Sequence, residues 1–176
     1  MAFIMLGILF LVRNETFGSL KNFLLAMVFL VAFPALAYPL QPLLPHFKDK
    51  GRSGQRHLAI WMSALGYMMG LAVSEVRCAP FALKRIYMIY LSSGLIMLFF
   101  NKILKIRASG HACGIIGPII CLFDSIGCIS LAGSVLWAAA CAASLKMKRH
   151  TWKEFLLGSM IPLLASLILQ FTTEIF

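Results

Sequence analysis

Long apolar blocks separated by short polar ones set the frame of this chain. Residues 23–44, 57–74, 86–100, 112–123, 126–145 and 155–173 are apolar almost throughout, and charges gather between them. A helix needs about 20 apolar residues to cross a bilayer core, and in lipid it satisfies its own backbone groups. The blocks therefore predict an all-α integral membrane bundle of about six spans in a single domain. Residues 1–12 are apolar but too short to cross, and no basic segment precedes them as in a signal peptide, so an interfacial or re-entrant segment is expected. Pro34, Pro39, Pro42 and Pro45 should kink the second half of the first span. The fifth block, rich in Ala, Gly and Ser, is expected at the centre of the bundle, because small residues let helices approach closely.

Composition strengthens this reading. Hydrophobic residues make up 61% of the 176 and charged ones only 12%, against about 25% in soluble domains. The mean hydropathy is +0.90. A net charge of +10 would suit a nucleic-acid binder, but these cations sit in short segments flanking apolar runs. A bilayer surface or an anionic headgroup is the expected partner, and nucleic acid is not. Cys78, Cys113, Cys121, Cys128 and Cys141 are odd in number and show no C-x-x-C spacing, so they read as small buried hydrophobes. His46 and His57 flank the polar loop at 46–56 and read as solvated.

Two polar clusters carry chemistry. In the first, Lys105 and Arg107 supply positive charge beside Ser109, Gly110 and His111. Ser109 can cap the helix expected from Ala112, so that its free N–H groups and dipole favour an anion. Gly110 lets backbone approach a ligand, and His111 can move a proton near neutral pH. In the second, His150 and Glu154 are spaced i,i+4, which lets the carboxylate hold one imidazole nitrogen and leave the other free. Counting spans puts the segments at 46–56, 102–111 and 146–154 on one side of the membrane, where the two clusters can meet. The six acidic residues are scattered, so no carboxylate set is offered to Mg²⁺, and neither metal nor organic cofactor is expected.

These residues resemble the type 2 phosphatidic acid phosphatase superfamily, whose signature is a Lys/Arg phosphate cradle, a Ser-Gly-His element, and a later histidine followed four residues on by an acid. Ser109-Gly110-His111 is similar to the second element, and His150 to Glu154 with Gly158 beyond it is similar to the third. The resemblance implies a phosphorylated membrane lipid as substrate, His150 as nucleophile, Glu154 as its orienting partner and His111 as the proton donor and later base. Ser109, the Gly110 N–H and the cations would hold the phosphate oxygens. It also implies residence in the cell membrane.

Three positions depart from the family pattern. The usual upstream Lys and Arg-Pro element is absent, and Lys105 and Arg107 would replace it in compressed form. Ala108 stands where a proline usually precedes Ser-Gly-His. Ser144 stands where an arginine usually lies six residues before the third-element histidine, with Arg149 or Lys146 as candidate replacements. A binder or transporter of anionic lipid, using Lys105 and Arg107 without cleavage, is the alternative, and an inactive phosphatase scaffold a third. Eleven of the sixteen Lys and Arg lie on the side of the clusters, which favours a cytoplasmic site, whereas many bacterial members of the family face outward.

Overall fold

The computed structural model describes residues 1–48, 51–147 and 150–175, and the side chains of these except 46, 52, 53, 56 and 173–175. The chain is helical: α1 (Ala2–Val12), α2 (Leu20–Leu43), α3 (Gly51–Val76), α4 (Phe81–Ile103), α5 (Gly110–Ile126), α6 (Gly133–Lys146) and α7 (Trp152–Ile175). Five stretches are long and apolar enough to cross a membrane: α2, 57–76 of α3, α4, the 37-residue run Gly110–Lys146, and 152–172 of α7. The all-α membrane bundle expected from the hydropathy blocks is therefore observed.

The expected fourth and fifth spans are the two arms of that 37-residue run. The turn falls at Gly127, whose φ of +64° only glycine adopts without strain, and not at Asp124-Ser125, which still belong to α5. Beyond a 3₁₀ segment, Gly127–Ala132, the chain runs back. Gly133 then meets Ile119, and Ala112 shares a cluster with Cys141. At 1.5 Å per residue the arms are on the order of 25 and 21 Å long, each short of a ~30 Å apolar core.

The sequence expectation for α6 is corrected by its burial. This helix lies at the edge of the bundle, with Cys141 and Ser144 its buried residues and Val135 71% exposed. Small residues permit close packing but do not demand it, since an alanine facing lipid costs almost nothing. Likewise Cys128, expected to be buried, is exposed, as is Cys78.

Helix α1 does the opposite. Met5, Leu6 and Leu9 have no exposed surface and share one cluster with Leu83, Ile86 and Tyr87 of α4 and Leu122 of α5. Its 11 residues span on the order of 16 Å, half a membrane. The segment is thus inserted among its neighbours and not laid along a surface. A turn then leads to α2, capped by Ser19 Oγ, which accepts from the Asn22 N–H at 3.2 Å. Phe10 stacks on Phe23, with centroids 4.2 Å apart, and Phe17 meets Phe23 edge-on.

The prolines of α2 coincide with breaks in its helical ladder, where π, α and 3₁₀ pieces follow one another. Residues Val28–Ala32 form a π-helical turn in which the Phe33 N–H bonds to Val28 O, and Pro34 has no N–H to continue the ladder. The bulge sets the Phe29 carbonyl against Gly66 of α3, only 2.7 Å from where a Cβ would stand. The polar segment expected as a loop at 46–56 is largely helical, since Pro45–Lys48 forms a turn and α3 already begins at Gly51.

The two ends of the bundle differ in how charge is met. At one end Lys84 pairs with Glu75 at 2.7 Å, Arg85 with Asp124 at 3.1 Å and Arg13 with Glu15 at 3.5 Å, while the Arg77 Nε donates to Asn22 Oδ1 at 2.8 Å. Lys84 and Arg85, expected to flank the third span, lie in the first turns of α4 because these partners hold them. By chain order, the other end carries eleven Lys and Arg but only Asp49 and Glu154 among the acids, hence nine of the ten net positive charges.

Gly66→Ala should destabilise the protein by about 1–3 kcal/mol, because the obstacle is a backbone oxygen that cannot move aside. Gly94→Ala, with nothing within 4 Å of the added methyl, should be neutral or mildly stabilising, since alanine favours a helix interior. Thermal unfolding in detergent distinguishes the two, and equal midpoints would contradict the close approach of α2 to α3.

Candidate active site

At the cationic end, two helix starts meet backbone to backbone. Ser109 is completely buried and caps α5, its Oγ accepting from the Ala112 N–H at 3.4 Å. The Ser109 N–H donates to Glu154 O of α7 at 2.9 Å. One turn further along α7, Gly158 faces the Ser109 backbone so closely that a Cβ there would overlap the Ser109 carbonyl. Gly158 is what lets the Ser-Gly-His turn lie on α7 at all.

The start of α7 is built by a reciprocal cap. The Glu154 N–H donates to Thr151 Oγ1 at 3.3 Å, and the Thr151 N–H donates to Glu154 Oε2 at 3.1 Å. The same Oε2 lies 3.1 Å from Nδ1 of His150, whose side chain is 8% exposed. A carboxylate oxygen can only accept, so Nδ1 is the nitrogen that carries a proton in this contact, and Nε2 is not engaged by Glu154. Arg107 Nε stands 3.9 Å from Glu154 Oε1, a loose and solvated ion pair worth at most a few tenths of a kcal/mol to 1 kcal/mol. Its side chain is 62% exposed and so can turn toward a ligand at small cost.

Supporting contacts fix both turns. Asn101 Oδ1 accepts from the Ala108 N–H at 3.1 Å, and the Ile106 N–H donates to Phe100 O at 2.9 Å, which ties the Lys105–Ser109 segment to the end of α4. Trp137 of α6 donates from Nε1 to Ser159 Oγ at 2.8 Å and packs on Trp152 and Phe155. The aromatic group clamps α6 against the first turns of α7.

The structure thus brings together His150, Glu154, Arg107 and Ser109. Gly110 and His111 follow Ser109 as the first two residues of α5, both exposed. Lys105 is exposed, holds a left-handed φ of +56°, and has no ion-pair partner among the described residues. Ser144 is buried in the last turn of α6, and Arg149, its expected replacement, lies outside the described residues. Two contributors escaped the sequence reading. Thr151 was legible as the T-x-x-E signature of a capping box, whereas Asn101 could be noticed only as an amide at the end of an apolar block.

The arrangement is that of a helical membrane protein with a histidine–carboxylate pair set against a capped helix start, with Arg107 loosely paired to Glu154 and Lys105 without an ion-pair partner among the described residues. Compared with protein-family models, curated proteins and solved structures, the chain matches none.

Glu154→Gln should retain the cap, because an amide oxygen still accepts from Thr151, and lose only a few tenths of a kcal/mol, while Glu154→Ala should lose about 1 kcal/mol. Gly158→Ala should cost more than either, since backbone meets backbone there. If thermal unfolding places Gly158→Ala at the wild-type midpoint, the Ser109 turn does not lie on α7 as described.

Proposed function

We propose that this chain is a membrane-embedded phosphatase that removes phosphate from a phosphorylated lipid through a phosphohistidine on His150. The observation that carries this reading is the 3.1 Å contact of His150 Nδ1 with Glu154, which leaves Nε2 as the nucleophile beside an anion-attracting helix start. The resemblance to the type 2 phosphatidic acid phosphatases supports the same assignment through Ser109-Gly110-His111 and His150 to Glu154.

In the first step Nε2 attacks phosphorus and the bond from phosphorus to the lipid oxygen breaks. His111 gives its proton to that oxygen, and the lipid alcohol or lower phosphate leaves. Glu154 stabilises the imidazolium that forms, through the Nδ1 proton. In the second step His111 takes a proton from water, which attacks phosphorus, and the P–N bond returns its electrons to His150. Non-bridging oxygens are held by the N–H groups at the start of α5, by Arg107 swinging from Glu154, and by Lys105. Fixed donors of this kind stabilise charge most where it develops in the transition state.

The test is phosphate release from phosphatidate, phosphatidylglycerol phosphate, polyprenyl diphosphate and lipid A by purified protein in detergent. His150→Ala should abolish release, a loss of several orders of magnitude, while leaving the protein folded. Residual turnover within about tenfold of wild type would reject the nucleophile. Activity should survive excess EDTA and be inhibited by vanadate, and loss on chelation restored by a divalent ion would indicate another mechanism.

The cations give a second test. Charge-assisted bonds to phosphate contribute roughly 1.5–3 kcal/mol each, so Lys105→Ala and Arg107→Ala should each lower kcat/KM by about ten- to a hundredfold or more. Arg149→Ala should do the same if Arg149 serves in place of an arginine at Ser144, and Arg149→Lys should recover only part, because an ammonium cannot grip two oxygens as a planar fork does. Lys148→Ala is the control. Equal behaviour of Arg149→Ala and Lys148→Ala would make Arg149 a surface charge.

A further inference from the structure

A groove of about 580 Å³ opens between α3 and α4 at the cationic end. Its walls are two helical stripes. His57, Ile60 and Trp61 fall at i, i+3 and i+4 on α3, and Leu95, Leu98 and Lys102 at i, i+3 and i+7 on α4. Because the helices run antiparallel, His57 and Lys102 meet at the mouth, and the apolar residues extend roughly 10 Å inward along α4. Trp61 is 61% and Leu95 56% exposed, so the groove is open along its side. His57, expected to be merely solvated, is half-buried with its Nε2 2.8 Å from Lys102 Nζ.

Polarity at the mouth is one-sided. An ammonium can only donate, so in this contact His57 is neutral and accepts through Nε2. Lys102 makes no ion pair among the described residues, whereas Lys84, Arg85 and Arg13 at the far end each have a carboxylate. The π-helical turn Phe99–Ile103 widens α4 where Lys102 leaves it, a distortion common at functional sites. An apolar trough with a cation at its lip that no described carboxylate neutralises, at the end holding nine of ten net charges, matches an amphiphile with an anionic head. Basic pockets between membrane helices bind acidic headgroups in this way.

We infer that the α3–α4 groove holds one acyl chain of an anionic phospholipid, with the headgroup phosphate bound by Lys102 and His57. This goes beyond the phosphatase assignment and does not depend on it. The phosphate replaces His57 as the acceptor for Lys102, which frees Nε2 to take up a proton and donate to the phosphate in turn, while Trp61 and Leu98 flank the chain.

The test uses purified full-length protein in phosphatidylcholine nanodiscs doped with a phosphatidylglycerol carrying a diazirine in its acyl chain, or with the phosphatidylcholine bearing the same chain. Phosphatidylglycerol is a phosphodiester that the proposed reaction does not cleave, so labelling is independent of turnover. Peptides covering 57–61 and 95–103 should be labelled about fivefold more by the anionic probe, as one cation near the headgroups contributes about 1 kcal/mol. Lys102→Gln with His57→Gln should bring the two probes to parity, and Leu98→Trp should reduce labelling by both. Should the double variant not fold, Lys102→Gln alone, at an exposed position, should at least halve the preference. Equal labelling by the two probes in wild type, or a preference that survives Lys102→Gln, overturns the inference.

Discussion

The backbone contact of Ser109 with Gly158 is the constraint on which the cationic end of this protein depends. Two helices, α5 and α7, both start there, and their N-terminal dipoles point the same way, which is unfavourable when no negative charge lies between them. The 2.9 Å bond from Ser109 to Glu154 O and the bare Cα of Gly158 hold them together regardless. Glu154 then provides the negative charge, and its one carboxylate caps α7, holds His150 and attracts Arg107. A phosphate entering this space would add the negative charge that two helix starts and the surrounding cations favour.

That economy explains the contrast between the two ends of the bundle. At the far end carboxylates pair with Arg13, Lys84 and Arg85, and the latter two pairs lock α3 to α4 and α4 to α5, so these charges serve packing. At the site end the described acid is Glu154, and it is shared. The resulting field favours an anion at both the helix starts and the α3–α4 groove. Proximity of the groove to the site along α4 follows from Asn101, which ties the loop bearing Ser109 to the turn bearing Lys102.

Much of this was legible in the sequence, because two signals act locally. Hydropathy marks the spans, since each helix satisfies its own backbone in lipid, and the i,i+4 spacing of His150 and Glu154 fixes their shared face whatever surrounds them. What was not legible depends on neighbours. Residues 1–12 read as interfacial or re-entrant because they cannot span, and only their neighbours decide between the two, since Met5, Leu6 and Leu9 are among the most buried side chains. Small residues in α6 suggested the centre, yet lipid accepts alanine as readily as a helix does. The role of Gly158 and the His57–Lys102 contact require knowing which helices lie side by side. The blocks at 112–123 and 126–145 leave a polar break at Asp124-Ser125, yet α5 runs through it to Ile126, with Arg85 of α4 paired to Asp124.

The central claim is that His150 carries phosphate during turnover. Rapid acid-free quenching of the protein with ³²P-labelled lipid substrate, followed by peptide mapping, measures this directly. The account predicts label on the peptide containing His150, stable to alkali and lost in acid, as a phosphoramidate bond requires, and absent from His150→Ala. Turnover of the same substrate with no label at His150, or label stable to acid on another residue, would contradict it.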